Sequence, residues 1–219
     1  MISFKRIISE LVKLQMTSEQ YINLLRKKGV QIGGGGRFFD PKTTYVDTQN
    51  PFMVKIGNNV RITRGVIILT HDYSWSVLAG LYGEILGGIG PVEIGNNVFI
   101  GMNSIILKNT IIGDNVIIGA GSVVSGNLEP YSVYAGSPAR KIMSLDTFYK
   151  KRKKKKKNDI ERIKDMYRDA YSIDPPLNVL REYFWSFADR KQPLNKDYEG
   201  LIRRTGYFKK ILDNFYNNT

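Results

Sequence analysis

Aliphatic positions in this chain recur every six residues. The first run is Ile56, Ile62 and Ile68; the second is Ile94, Ile100, Ile106, Ile112, Ile118, Val124 and Pro130. A second set stands two residues ahead of each: Val54, Val60 and Val66, then Val92, Val98, Ser104, Thr110, Val116, Ser122 and Leu128. A small residue often follows the register position, as at Gly57, Gly95, Gly101, Gly113 and Gly119. Such a period does not match the roughly 3.6 of a helix and is too short for a helical repeat. The segments are rich in Val and Ile, which favour strands. Between them stand Asn58-Asn59, Asn96-Asn97 and Gly113-Asp114-Asn115, residue types that accept positive φ and turn a chain cheaply. The pattern predicts a solenoid of very short strands with a turn every six residues. Three faces close a winding of about 18 residues, and the register aliphatics stack inward at the spacing of about 4.8 Å between paired strands.

Two interruptions stand out. Ile68 and Ile94 are 26 residues apart, which is not a multiple of six, so an excursion over 71–91 leaves the solenoid and returns. It carries His71, Trp75 and a glycine cluster. After Ala135-Gly136-Ser137-Pro138-Ala139-Arg140 no six-residue phase continues. On the N-terminal side, Phe4, Ile7, Ile8, Leu11 and Leu14 fall at helical spacing, and a second short helix follows Ser18 and stops at Gly29. Gly33 to Gly36 reads as a flexible hinge, since it lacks the strand and helix that give a dinucleotide fingerprint its meaning. Residues 144–219 read as mostly helical, broken at Pro175-Pro176, with Tyr167, Tyr171, Tyr183, Phe184, Trp185 and Phe187 as packing aromatics. Three regions result: a helical segment and hinge over 1–50, the solenoid over 51–143, and a basic helical region over 144–219.

Composition narrows the class. At 219 residues there is room for one domain with appendages. The absence of cysteine excludes disulfides and thiolate zinc sites. The N-terminal stretch is interrupted by Lys5, Arg6, Glu10 and Lys13, unlike a signal peptide, and no apolar run is long enough to span a bilayer. A cytoplasmic protein is expected. The net charge of +13 resides in the flanks: residues 53–143 hold six basic and five acidic side chains, whereas 144–219 hold nineteen and eleven. Its densest part is Lys150 through Lys157, eight basic residues in succession. Such a block is read as a solvated, partly disordered segment, or as a contact for an anionic surface at the inner face of the membrane or for a polyanionic glycan. No reading motif for nucleic acid accompanies it.

The stretch V-E-I-G-N-N-V-F-I-G-M-N-S-I-I-L-K-N-T-I-I-G-D-N-V-I-I-G-A-G-S-V-V-S (92–125), followed by A-G-S-P-A-R (135–140), resembles the hexapeptide-repeat acyltransferases, and within them the maltose and galactoside acetyltransferase-like branch. The resemblance covers about 50–143. It implies a mainly β fold, a single-stranded left-handed parallel β-helix with helical N- and C-terminal flanks. It implies a homotrimer whose active sites lie between neighbouring prisms, and acetyl-CoA as co-substrate with no metal. The implied reaction is O-acetylation of a sugar or polysaccharide precursor, as in capsule, O-antigen or exopolysaccharide synthesis.

His71 is the only imidazole in the chain and stands in Leu69-Thr70-His71-Asp72, where the winding ends and the excursion begins. That place matches the family's catalytic histidine. A hydroxyl is a weak nucleophile, and an imidazole, which titrates near neutrality, suits the removal of its proton. Nε2 would face the hydroxyl while a carbonyl or carboxylate holds Nδ1–H; Asp72 and Glu84 are the carboxylates near in sequence, and either suits that task. The resemblance carries an acyl-CoA groove onto Gly101 and Met102, then Gly119 and Ala120 one winding on, where small side chains let a pantetheine arm lie flat. The glycines also serve plain turn geometry. Ser125 and Gly126 stand where relatives often have Thr-Lys, which removes one phosphate contact. Arg140, with Lys141 beside it, matches a basic residue near the nucleotide phosphates. Tyr73, Trp75 and Tyr82 either line the acceptor side by stacking on sugar rings or cap the open solenoid end.

Other readings are N-acetylation of an amino-sugar nucleotide, acetylation of a small molecule, and a β-helix scaffold without catalysis. Zinc carbonic anhydrases on this fold need three histidines, and this chain has one.

Overall fold

The computed structural model describes residues 16–176, 179, 180, 182, 183, 196–203 and 207–217. The expected first helix through Leu14, and Phe184, Trp185 and Phe187, lie outside the described residues. The chain forms two compact units, Met1–Phe148 and Tyr149–Thr219.

The first unit opens with α1 (Ser18–Lys27). Thr17 and Gln20 form a reciprocal capping box at its start, and Gly29, at φ 105°, follows its last turn. The helix buries Tyr21, Ile22 and Leu25, and the Tyr21 ring meets Phe38 edge-on at 5.0 Å. A first winding follows: β1 (Gln31–Ile32), β2 (Arg37–Phe38) and β3 (Tyr45–Val46). The second is β4 (Val54–Ile56), β5 (Arg61–Ile62) and β6 (Ile67–Ile68). The excursion then carries β7 (His71–Asp72), α2 (Trp75–Tyr82) and β8 (Gly88–Ile89). The third winding is β9 (Val92–Ile94), β10 (Phe99–Ile100) and the start of β11 (Ile105–Ile112), whose far end opens the fourth. The fourth continues through β12 (Ile117–Ile118) into β13 (Val123–Leu128); β14 (Ser132–Gly136) lies on it, and β15 (Ala139–Ser144) pairs antiparallel to β14.

These strands form three parallel ladders. Face one stacks β1, β4, β9 and the ends of β11 and β13. Face two stacks β2, β5, β10, β12 and β14. Face three stacks β3, β6 and the starts of β11 and β13. Ile105 pairs with Val123 and Phe99 with Ile117, three six-residue periods on. Both aliphatic sets point inward: Ile62, Ile68, Ile100, Ile106, Ile118, Val54, Val66, Val98 and Val116 are buried. The inward hydroxyls are satisfied by corner carbonyls, Ser104 donating to Gly101 O at 2.8 Å, Thr110 to Leu107 O at 2.6 Å and Ser122 to Gly119 O at 2.7 Å.

The solenoid starts a winding earlier than the pattern implied. Val30-Gln31-Ile32-Gly33 has the grammar of Val54-Lys55-Ile56-Gly57 and Val92-Glu93-Ile94-Gly95; Ile32 stands a whole number of periods before Ile56, but Thr44 and Asn50 at the intervening positions break the aliphatic run. Gly33 to Gly36 is accordingly a stacked corner and no hinge. A Cβ on Gly33 would lie 2.6 Å from Asn58 Oδ1, and Gly35 sits at φ 66°. The register also slips once. Val124 pairs with Ile106 as predicted, but Leu128, two residues early, takes the place opposite Ile112. Leu128 is buried while Pro130, expected inward, is exposed at a corner.

α3 (Leu145–Tyr171) begins in the last residues of the first unit and contains the whole Lys150–Lys157 run of the second, so that block is helical and solvated. The helix ends ahead of Pro175-Pro176, and α4 (Lys196–Arg203) and α5 (Phe208–Asn217) follow. Among the described residues no helix is long and apolar enough to cross a membrane.

Candidate active site

The corner between faces three and one gathers Asp47, His71, Asp72 and Lys108. Asp47 leaves β3 there, its N–H donating to Ile68 O in the winding above at 2.9 Å. Thr70 and His71 occupy the same corner of the second winding, where β7 and β8 pair as the stem of the excursion. Lys108 occupies it in the third winding, and Ser125 and Gly126 in the fourth.

Asp47 is fully buried, and its carboxylate accepts four hydrogen bonds. Oδ1 takes Gln49 N–H at 3.0 Å. Oδ2 takes Thr70 N–H at 3.0 Å, the Thr70 hydroxyl at 2.5 Å and His71 Nδ1 at 2.6 Å. Burial alone would raise its pKa; the donors from Thr70, Gln49 and His71 outweigh that and hold the carboxyl below its ordinary range. An ionised Asp47 can only accept, so Nδ1 carries the hydrogen, which in a neutral imidazole leaves the lone pair on Nε2. The imidazole is 27% exposed.

The carboxylate on Nδ1 is therefore neither Asp72 nor Glu84. Asp72 faces the other way: it accepts from the Lys108 ammonium and from Ser74 N–H and Oγ, and these bonds, Lys108 first, hold its pKa far below the usual range. Lys108 thereby ties the root of the excursion to the third winding. Glu84 is exposed in the loop after α2. Proximity in sequence misled because a solenoid brings together residues one winding apart. Asp47, 24 residues before His71, lies beneath it.

The proposed groove residues divide between two corners. Gly101, Met102, Gly119 and Ala120 stack at the corner between faces two and three, Gly101 N donating to Ile118 O at 2.9 Å and Gly121 N to Met102 O at 2.7 Å. A Cβ on Gly101 would fall 2.4 Å from Ala120 N, so the stack is backbone on backbone. Arg140 pairs in register with Ala135 above this column and is exposed. Lys141 is engaged by Glu129 at 2.6 Å, which raises its pKa and lowers that of Glu129. Ser125 and Gly126 share the His71 corner instead. The two corners flank the same outer face, face three. On the excursion, Tyr73 and Tyr82 are each 68% exposed, and Tyr73 stacks on Trp75 at 4.5 Å between ring centroids. Sequence reasoning missed Asp47, Thr70 and Lys108. The only sign of Asp47 was a carboxylate directly after a strand, in Tyr45-Val46-Asp47.

A three-faced hexapeptide solenoid with an ionised Asp–His pair at one corner defines a class. Residues 91–126 match the model of the bacterial transferase hexapeptide (six repeats). The chain is 38% identical to Protein CapG of Staphylococcus aureus over 144 residues, 66% of this chain and 80% of that protein. It is 40% identical over 70 residues to a 2,3,4,5-tetrahydropyridine-2,6-dicarboxylate N-acetyltransferase of Brevibacillus brevis, 29% of this chain and 30% of that one. Among solved structures, a maltose O-acetyltransferase from Clostridium difficile is similar at 29% identity and a TM-score of 0.44, covering 62% of this chain and 81% of that one. The chain belongs to the hexapeptide-repeat transferase family and is an acyltransferase.

Proposed function

We propose that the protein is an acetyl-CoA-dependent O-acetyltransferase that acylates a hydroxyl of a sugar or polysaccharide precursor, with His71 as general base. The observation that carries this reading is the Asp47–His71 pair. Asp47 fixes the tautomer, and Nε2 is the open basic nitrogen at the mouth of the excursion. As the acceptor oxygen attacks the thioester carbonyl carbon, Nε2 takes its proton. The imidazolium so formed is stabilised by Asp47. When the C–S bond breaks, the same proton passes to the departing sulfur, and the histidine is ready again. Gly101, Met102, Gly119, Ala120 and Arg140 would hold the thioester substrate, the first four through backbone and the last through its charge.

The reading includes a left-handed winding and a trimer. The outward positions of face three are Tyr45, Ile67, Ile105 and Val123, an apolar column in register. It separates the His71 corner from the Gly101–Ala120 corner. If two protomers pack through it, the histidine of one meets the groove of the next. The excursion also exposes Val77, Leu81, Ile85 and Leu86, apolar surface of the kind that marks an association site.

The test is thioester consumption by the purified protein against a panel of neutral and acidic mono- and oligosaccharides, with amino sugars alongside. Ester formation on a saccharide hydroxyl supports the proposal. Exclusive amide formation on amines, or turnover unchanged in His71→Ala, would overturn it.

A further inference from the structure

The basic segment of α3 is unlike the rest of that helix. From residue 158 onward, cations alternate with acids, and Arg162–Asp159, Lys164–Glu161 and Arg168–Asp165 pair at i,i+3. Over 150–157 there is no acid, and Lys151, Lys153, Lys154, Lys155 and Lys157 have no ion pair among the described residues. Seven of the eight side chains are exposed. Lysines four apart, such as Lys151 and Lys155, repel one another on a helix. These five lysines thus hold concentrated positive charge that the described residues leave uncompensated.

The geometry of this charge selects a partner. At about 3.6 residues per turn, eight successive cations point to every side of a rod about 12 Å long. A helix that lies on a lipid surface needs an apolar face, and 150–157 has none, so a flat bilayer would meet only part of the ring. Binding of single-stranded nucleic acid uses aromatic platforms among the cations, and there are none in this segment. A flexible anionic chain can follow the charge around the rod. We propose that the Lys150–Lys157 segment of α3 is a docking surface for an anionic polysaccharide. The proposal deepens, and rests on, the reading of the acceptor as a glycan. Tethering a polymer through this helix raises the local concentration of its hydroxyls for the enzyme.

The full-length protein is titrated into fluorescein-labelled polygalacturonate, with dextran, phosphatidylserine-containing vesicles and polyuridylate as comparison partners. One variant carries Lys151→Gln, Lys153→Gln, Lys154→Gln, Lys155→Gln and Lys157→Gln. A charge-matched control carries Lys27→Gln, Lys42→Gln, Lys196→Gln, Lys209→Gln and Lys210→Gln. The expected result is steeply salt-dependent binding to polygalacturonate and none to dextran. The helix variant should weaken binding at least about tenfold and the control less than about threefold, with acyl transfer to a neutral monosaccharide unchanged in both. Equal weakening by the two variants, tighter binding to vesicles or polyuridylate, or no polygalacturonate binding would each overturn the proposal. Docking is read without turnover, so a failure to acetylate any saccharide would sink the assigned reaction and leave the docking result standing.

Discussion

A buried aspartate stays ionised only if donors replace its water, and the four donors to Asp47 do so. In the proposed reaction its role is to position His71, so the two residues should fail differently. His71→Ala should lower kcat on the order of 10³-fold. Asp47→Asn keeps an acceptor for Nδ1 but loses the charge that steadies the imidazolium; kcat should fall on the order of 10²-fold with the acceptor KM little moved. Initial rates across acceptor concentration check both. The same carboxylate predicts a pH effect. Its folded pKa is depressed, so its stabilisation is complete above the unfolded-state value of about 3.9 and is lost as pH falls through the lower folded value. Urea unfolding of the wild type should therefore weaken progressively below about pH 4. Asp47→Asn should lack that part of the loss.

At the scale of elements, the solenoid is held by its corners as much as by its strands. Asn59, Asn97 and Asn115 sit at φ between 55° and 58°, and Asn97 Nδ2 donates to Asn115 Oδ1 at 2.6 Å. Asn115→Val puts a β-branched residue into the left-handed region and should cost about 1–2 kcal/mol, read as a lower urea midpoint. Asn115→Gly should be much milder. The excursion depends on a different device. Lys108 binds Asp72 at its root, and Lys108→Ala should speed proteolytic cleavage within 73–87 while the urea midpoint changes little, because the pair is partly exposed. The six-residue grammar made nearly all of these corners legible, since each needs Gly or Asn at a fixed offset. It failed at Leu128, where a two-residue slip preserved strand pairing and moved Pro130 outward.

For the whole molecule, the column Tyr45, Ile67, Ile105 and Val123 is surface that water should not keep. Ile67→Glu with Ile105→Glu places charge in it without touching the inward core. The expected outcome is that the proposed trimer is lost by native mass measurement, with far-ultraviolet circular dichroism retained. Acyl transfer should fall with the trimer, because the histidine and the groove flank that face from opposite corners.

Residue order by itself determined the solenoid, its inward aliphatics and the position of the excursion. Each follows from a period, and a period is local information that survives without coordinates. Only the tertiary structure decided which carboxylate serves the histidine, that the glycine run is a stacked corner, and which residues share a corner. Those facts depend on the offset between windings, and the loops that set this offset vary in length: Ile32 pairs with Ile56, Ile56 with Ile94, and Ile94 with Ile112. A side chain's neighbour across a winding is fixed by where the chain returns, and unequal loops hide that place from any reading along the chain.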